Sequence, residues 1–242
     1  MRKPATGSFG MKRCLAMSAV LLLLLAAAGA QAYPAFVYGD YELSEDSDPA
    51  VHALVEEGAR LVAGEPRQAR QRLVQALKKV SQGMSIDEYD YLWTQYGLMK
   101  ATMEAGSADF GPGTPKEYEQ VARHVLGFLD QQGNTGEWVY TELGAFRMEL
   151  YRTAANGLAW QMMESGRNLE KALAIINKGI QKASRGEEDD YMLDTKVRIL
   201  LKMDKKQEAW RIVAQVLDQD AEFGDFQDIR QDPEYRAWKN AD

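Results

Sequence analysis

The 242-residue chain contains a single cysteine, Cys14, and only two histidines, His52 and His124. Cys14 lies in an apolar block that we expect to be removed on export, so the mature chain would have no disulfide and no thiol nucleophile. Neither histidine has a second histidine or a cysteine at the spacing of a zinc site. The sequence therefore predicts no metal and no cofactor, and a fold that is held together by its apolar core alone.

Linear signatures of catalysis are also missing. The chain has no Gly-x-Ser-x-Gly and no Ser-x-x-Lys, and Gly111-Pro112-Gly113 lacks the spacing of a phosphate-binding loop. The run from Asp218 to Gly224 departs from a calcium loop, because Phe223 stands where the sharp turn requires glycine and Ile229 where a bidentate glutamate is required. We predict no catalytic residues and no enzymatic activity. A pair of carboxylates that meets only in the folded chain would leave no linear trace and stays open.

The amino terminus has the pattern of a secretory signal peptide. Four basic residues precede the apolar run LLLLLAAA, and Ala30-Gln31-Ala32 is a small-x-small cleavage site in front of Tyr33. The run is short for a membrane span, and no second one follows. We expect residues 1–32 to be cleaved after Ala32 and the mature protein to be periplasmic or secreted. A retained anchor is the alternative, and translation can begin at Met1 or Met11.

Acidic residues outnumber basic ones. The full chain has 36 Asp and Glu against 29 Lys and Arg, a formal net charge of −7, and removal of residues 1–32 takes away four cations and no anion. Nucleic acids and anionic membranes both attract positive potential, so this balance disfavours them as partners. We predict a protein or peptide partner, no nucleic acid, and no membrane insertion after signal cleavage.

Helical periodicity begins after a short arm. Residues 33–47 (YPAFVYGDYELSEDS) have no sustained period, and we interpret them as an extended amino-terminal arm. Beyond it apolar residues recur at intervals of three and four, and Asp48-Pro49, Ser85 to Glu88, and Asp232-Pro233 have the composition of helix starts. Strand-like alternation is absent. The sequence therefore predicts an all-α fold.

One pattern recurs along the predicted helices: an alanine, an aliphatic residue four positions later, and a small or aliphatic residue three positions after that. The four copies begin at Ala69, Ala122, Ala172 and Ala209. Repeats of this kind bury one face on their neighbours, so four copies predict four helical hairpins. The extra spacing between the first three is taken up by a Gly/Pro loop, residues 106–115, and a long helix over about 137–164.

Residues 155–219 resemble tetratricopeptide repeats. Leu158-Ala159 matches the Leu-small pair of a first helix, Gly166 matches its turn, and Ala172 begins the second-helix pattern. The second unit departs from the family at Asp204, where a glycine is usual.

The resemblance implies a tetratricopeptide-like superhelix of about four antiparallel helix pairs. Residues 48–150 would form divergent helical hairpins, and residues 151–242 would hold the repeats and a carboxyl-terminal capping helix. Residues 226–238 are similar to the short capping segment that closes such arrays.

The resemblance also implies a binding groove lined by the first helix of each repeat. Asn156, Trp160, Arg198 and Lys202 would face it and bind a partner. An amide can bond a peptide backbone, a large ring can anchor a side chain, and two cations can meet a carboxylate. The alternative is that Trp160 belongs to the core.

A dense aromatic series, Tyr89, Tyr91, Trp93 and Tyr96, is a second candidate surface. At helical spacing these rings cannot all point to one side, so we expect some to be exposed as interface anchors. In the alternative they pack between the first two hairpins and the amino-terminal arm.

Together these features favour a periplasmic adaptor or scaffold that binds a protein or peptide in a helical groove. A dedicated inhibitor of an envelope-acting toxin or enzyme is the alternative, because an acidic helical protein suits a basic target. A carboxylate-dependent enzyme is the third hypothesis.

Export gives the first testable prediction. Mass spectrometry of the exported protein should show a chain that begins at Tyr33, because Ala30-Gln31-Ala32 is the cleavage site. A membrane-bound product that still carries Leu21 to Leu25 would refute it.

Overall fold

The computed structural model describes residues 43–104, 114–132, 141–183, 190–221 and 223–241. Over these ranges the protein is all-α, as predicted, with one isolated bridge between Ser44 and Asp87. Eight helices form four consecutive pairs: α1 (Pro49–Leu61) with α2 (Pro66–Ser81), α3 (Glu88–Glu104) with α4 (Thr114–Gln131), α5 (Glu142–Glu164) with α6 (Leu169–Ala183), and α7 (Asp190–Lys202) with α8 (Lys206–Gln219). The predicted signal peptide, and the arm before residue 43, lie outside the described residues.

The helices pack in two layers. Each helix packs on the next along the chain, and the odd-numbered helices also pack on one another, α1 on α3, α3 on α5, and α5 on α7. Among the described residues, the even-numbered helices show no comparably close packing with each other. We call the odd-numbered helices the inner layer and the even-numbered helices the outer layer. A stack of hairpins in sequence order is the arrangement expected of helical repeats.

The recurring alanine pattern lies on the outer helices and faces inward. Ala69, Ala122, Ala172 and Ala209 sit on α2, α4, α6 and α8, and each is fully buried. These helices are strongly amphipathic because they pack only through their inward side. The predicted assignment of one copy to each hairpin is confirmed.

The inner helices α3 and α5 are buried over most of their circumference. Helices of the outer layer cover one side and inner neighbours cover two more, which buries residues as different as Gln95 and Leu98 on α3. Such helices show little amphipathic pattern in the sequence. Within the ranges that the structure describes, one side of each is left without a neighbouring helix.

Two hairpin turns share a conformation although their residues differ. Gly166 has a φ of 64° and Asp204 a φ of 58°. In both turns the left-handed residue donates its N–H to the carbonyl three residues back, and the following N–H bonds the carbonyl five back. This is the Schellman ending of a helix. Asp204, where the resemblance expects glycine, therefore makes the same turn.

Helix starts are set mainly by aspartate. Asp48 and Asp232 accept hydrogen bonds from the backbone N–H groups of Ala50 and Glu234, as predicted. The predicted capping box, with Ser85 as the N-cap, places the start of α3 two residues too early. Asp87 accepts from the backbone N–H of Asp90 at 2.8 Å instead, so α3 begins at Glu88.

The carboxyl-terminal segment packs on the last hairpin. It consists of a short 3₁₀ turn (Gly224–Phe226), α9 (Gln227–Gln231) and α10 (Pro233–Lys239). Phe226, Ile229 and Tyr235 are buried in one cluster with residues of α7 and α8. The segment therefore covers apolar surface that a further hairpin would otherwise cover. None of the described helices is both long and apolar enough to cross a bilayer.

The buried alanines give the second prediction. Ala172→Leu and Ala209→Leu should each lower the free energy of unfolding by about 1–3 kcal/mol, because both sites are fully buried where helices meet. Ala174→Leu is the matched control on α6, since Ala174 is exposed. Chemical denaturation would measure all three, and equal midpoints for the two buried variants and the control would contradict the packing.

The turn conformation gives the third prediction. Gly166→Ala should lower the free energy of unfolding by about 1–2 kcal/mol, because a Cβ is strained at positive φ. Gly127 lies inside α4 with open space around it, so Gly127→Ala should raise the same quantity by about 0.5–1 kcal/mol. Thermal and urea unfolding of both variants would test this opposite response, and two shifts of the same sign would refute it.

Candidate functional site

The inner helices leave large apolar side chains in contact with solvent. Within the described residues, the exposed large hydrophobic side chains are Tyr89, Met103 and Trp160, with 52%, 50% and 37% of their surface exposed. All three lie on α3 or α5. Exposed apolar side chains that are concentrated on adjacent helices are typical of interaction sites.

Four aromatic rings form a cluster between α3 and α5. Trp93 is central: its ring lies 4.9 Å from Phe146, 5.6 Å from Tyr96 and 6.3 Å from Tyr89, measured between centroids. Tyr89 and Tyr96 each lie 5.9 Å from Phe146. We call Tyr89, Trp93, Tyr96 and Phe146 the aromatic cluster. Most of the pairs are edge-to-face or tilted, as aromatic side chains prefer.

Helical spacing extends this cluster along both helices. Tyr89, Trp93, Tyr96 and Met103 follow one another at intervals of four, three and seven residues, so they share one side of α3. Phe146 and Trp160 are about four helical turns apart on α5 and likewise share a side. We call the aromatic cluster, Met103 and Trp160 together the inner face.

The charges beside the inner face are largely neutralised. Arg147 donates two hydrogen bonds to the carboxylate of Glu88, at 2.7 and 2.6 Å. Lys100 lies with its ammonium nitrogen 5.7 Å from the centroid of the Tyr96 ring, within cation–π range. The face therefore offers ring surfaces rather than a strong charge.

The alternatives for the aromatic series are now resolved in part. Tyr91 is buried and packs on Phe128 at 5.1 Å between ring centroids, so it belongs to the core. The other three rings turn toward Phe146 on the third hairpin. The prediction that some rings of the series are exposed is confirmed for Tyr89. The alternative placed the rings between the first two hairpins and the amino-terminal arm. Their contacts with Phe146 lie on the third hairpin instead, and most of the arm lies outside the described residues.

Two of the four predicted partner-binding residues lie on α5. Trp160 is exposed, which removes the alternative that it is a core residue. Asn156 is half-buried, one turn earlier, and its side-chain oxygen is buried without a hydrogen-bond partner among the described residues. Its role in binding a partner stays a prediction.

Arg198 is already engaged within the chain. Its guanidinium bonds Asp194 at 2.7 Å, Asp228 at 3.1 Å, and the backbone carbonyl of Asp225 at 2.9 Å. Burial raises the pKa of Asp194 to about 6, although the Arg198 guanidinium acts in the opposite direction. The structure therefore places Arg198 where it ties α7 to the carboxyl-terminal segment.

Lys202 also has contacts within the chain. Its ammonium group donates to the backbone carbonyl of Met163 at 2.9 Å and lies 3.9 Å from the Glu164 carboxylate. The carbonyls at the end of a helix carry partial negative charge, so Lys202 stabilises the end of α5. Its side chain keeps 43% exposure, and its role in binding a partner stays a prediction.

The chain matches no protein-family model, no curated protein and no solved structure in the comparisons with known proteins.

The histidines make local contacts. His52 on α1 lies 2.9 Å from the buried carboxylate of Asp90 on α3, and this contact raises the pKa of His52. His124 bonds the hydroxyl of Tyr91. In the part of the chain that the structure describes, no three His, Cys, Asp or Glu side chains converge as metal ligands would.

Sequence reasoning did not single out Met103 and Phe146. Met103 could have been found, since it continues the three- and four-residue spacing of Tyr89, Trp93 and Tyr96. Phe146 is 50 positions after Tyr96 and belongs to another hairpin. Only the register between α3 and α5, fixed in part by the Glu88–Arg147 ion pair, brings it into the cluster.

Proposed function

We propose that this protein is an exported adaptor or scaffold that binds a protein or peptide segment on its inner face. The proposal rests on one observation above all: the large apolar side chains exposed on the described residues are all on α3 and α5. Exposure of such side chains to water is unfavourable by about 25 cal/mol per Å². A partner that covers them recovers this free energy.

The composition of the inner face supports a peptide rather than an ionic ligand. Tyrosine and tryptophan are the residue types most enriched at binding hot spots. Glu88 and Arg147 neutralise each other at one end, and Lys100 lies over a ring. The partner segment should therefore carry apolar or aromatic side chains that pack on the rings.

The proposal is one of binding without a catalytic step. The dedicated inhibitor remains the alternative, supported by the net charge of −7, which favours a basic target. The number of partners separates the two, because an inhibitor has one stoichiometric target and an adaptor has several partners or a complex.

The fourth prediction locates the partner. A benzophenone amino acid at Met103, which is 50% exposed and about two helical turns beyond Tyr96 on the same side of α3, should cross-link a partner in extracts of the source cells. The same group at the exposed Gln207 on α8 is the matched control and should not. Cross-links of the same identity and yield from both positions would refute the proposal.

The purified partner then allows a quantitative test. Tyr89→Ala and Trp160→Ala should each weaken its binding by about 2 kcal/mol, roughly thirtyfold in Kd, because exposed rings at a binding surface act as anchors. Arg211→Ala on α8 should leave the Kd unchanged. Unfolding curves of both ring variants should accompany the binding data, because part of each ring is buried against the protein. An unchanged Kd in both would place the interaction elsewhere.

A further inference from the structure

A second surface lies between the outer helices α4 and α6. Both pack on α5, and the space between them is a cleft of about 270 Å³. Its apolar floor and walls come from Leu126, Gly127, Tyr151, Leu158 and Ile175. Gly127 has no atom within 4 Å of the position that a Cβ would take, so the cleft is open beside Gly127.

Basic side chains surround this apolar floor. Arg123 stands on the α4 side, and Lys171, Lys178 and Lys182 follow one another on α6 at intervals of seven and four residues. This spacing places the three lysines on one side of α6. Lys171 has no carboxylate partner within the described ranges, and Arg123 pairs with Glu119 of its own helix at 2.6 Å.

One carboxylate is shared by two of the lysines. Asp130 lies 2.5 Å from the ammonium of Lys178 and 2.7 Å from that of Lys182. Burial works against its ionised form, yet the two lysines hold the pKa of Asp130 below its usual value. Three cations and one carboxylate therefore line the cleft, and Lys182 and Glu119 pair with members of this set, in a protein whose net charge is −7.

A smaller hollow of about 100 Å³ continues past Arg123. It adds Arg167 as a further cation, together with Gln161 and Met162. The side-chain oxygen of Gln161 is buried and has no hydrogen-bond partner among the described residues.

We propose that this basic cleft binds an acidic segment of a partner protein, which inserts an apolar side chain between α4 and α6 and places carboxylates against Lys171, Lys178 and Arg123. At about 270 Å³ the cleft is below the roughly 300–1,000 Å³ of typical small-molecule sites. It suits an anchor side chain better than a whole small molecule. Charge complementarity selects the acidic partner.

The basic cleft is independent of the inner face. Leu158 in the cleft and Trp160 on the inner face are two residues apart on α5, which is a rotation of about 200°. The two surfaces therefore use opposite sides of one helix. Either site can exist without the other.

The fifth prediction uses synthetic peptides as probes. A fluorescent peptide of about 15 residues, with leucine at helical spacing and Asp or Glu between, should bind with at least about tenfold higher affinity than the same peptide with Gln and Asn. The net charge of the protein repels acidic peptides in general, so this preference must arise locally. Replacement of leucine by serine should abolish binding, and higher salt should weaken it.

Variants locate the peptide. Lys171→Glu combined with Lys178→Glu should reduce the affinity at least about tenfold. Gly127→Phe should abolish binding, because the ring would fill the open part of the cleft. Lys78→Glu and Gly64→Phe are the matched controls, since Lys78 is an exposed lysine on α2 and Gly64 is an exposed glycine with open space. Unfolding curves check that every variant is folded.

The outcomes are distinct. Binding lost in the cleft variants and kept in the controls and in Tyr89→Ala supports the proposal, whatever happens at the inner face. Equal affinity for the acidic and neutral peptides, equal loss in Lys78→Glu, loss in Tyr89→Ala, or no binding at about 1 mM would overturn it.

Discussion

Close approach between the two layers of helices is the constraint on which the rest of the structure depends. Leu73 of α2 occupies the space that two glycines leave open: a Cβ on Gly58 would lie 2.6 Å from it, and one on Gly97 2.7 Å. One leucine therefore sets the separation of α2 from both α1 and α3. Tyr118 of α4 makes the same kind of close contact with Gly157 of α5. Protein interiors are packed densely enough for such contacts to fix helix positions.

Both candidate surfaces follow from this packing. The outer helices contact the inner ones at small residues, so α4 and α6 both lie close to α5. Over the described part of the chain, α4 and α6 do not pack closely on each other, and the basic cleft is the space between them. On the other side, α3 and α5 lie next to each other, and no third layer of helices covers them among the described residues. Rings on that side, such as Trp93 and Phe146, pack on each other and remain in part exposed. An aromatic surface is thus compatible with a stable fold.

The sequence predicts what depends on neighbours along the chain. The alanine pattern from Ala172 indicates a buried helix side, Gly166 indicates a left-handed turn, and Asp48 indicates a helix start. Each of these signals depends only on residues a few positions away. Contacts across helices are not predictable in this way. Arg198 has the pattern of an exposed cation, yet it binds Asp228 30 positions away. The position of one helix relative to its neighbour determines which residues form such pairs, and the periodicity of the sequence does not contain this position.

Helix α5 contributes to both surfaces, and each surface has a different structural requirement. The inner face needs rings that remain exposed, so its side chains must be rigid without being covered. The basic cleft needs cations held close to one another, which mutual repulsion opposes. Asp130 relieves that repulsion: it accepts from Lys178, Lys182 and the hydroxyl of Tyr151, and so joins α4, α5 and α6 at one end of the cleft. Because one carboxylate meets two ammonium groups, the cations are held in place and the end still keeps positive charge.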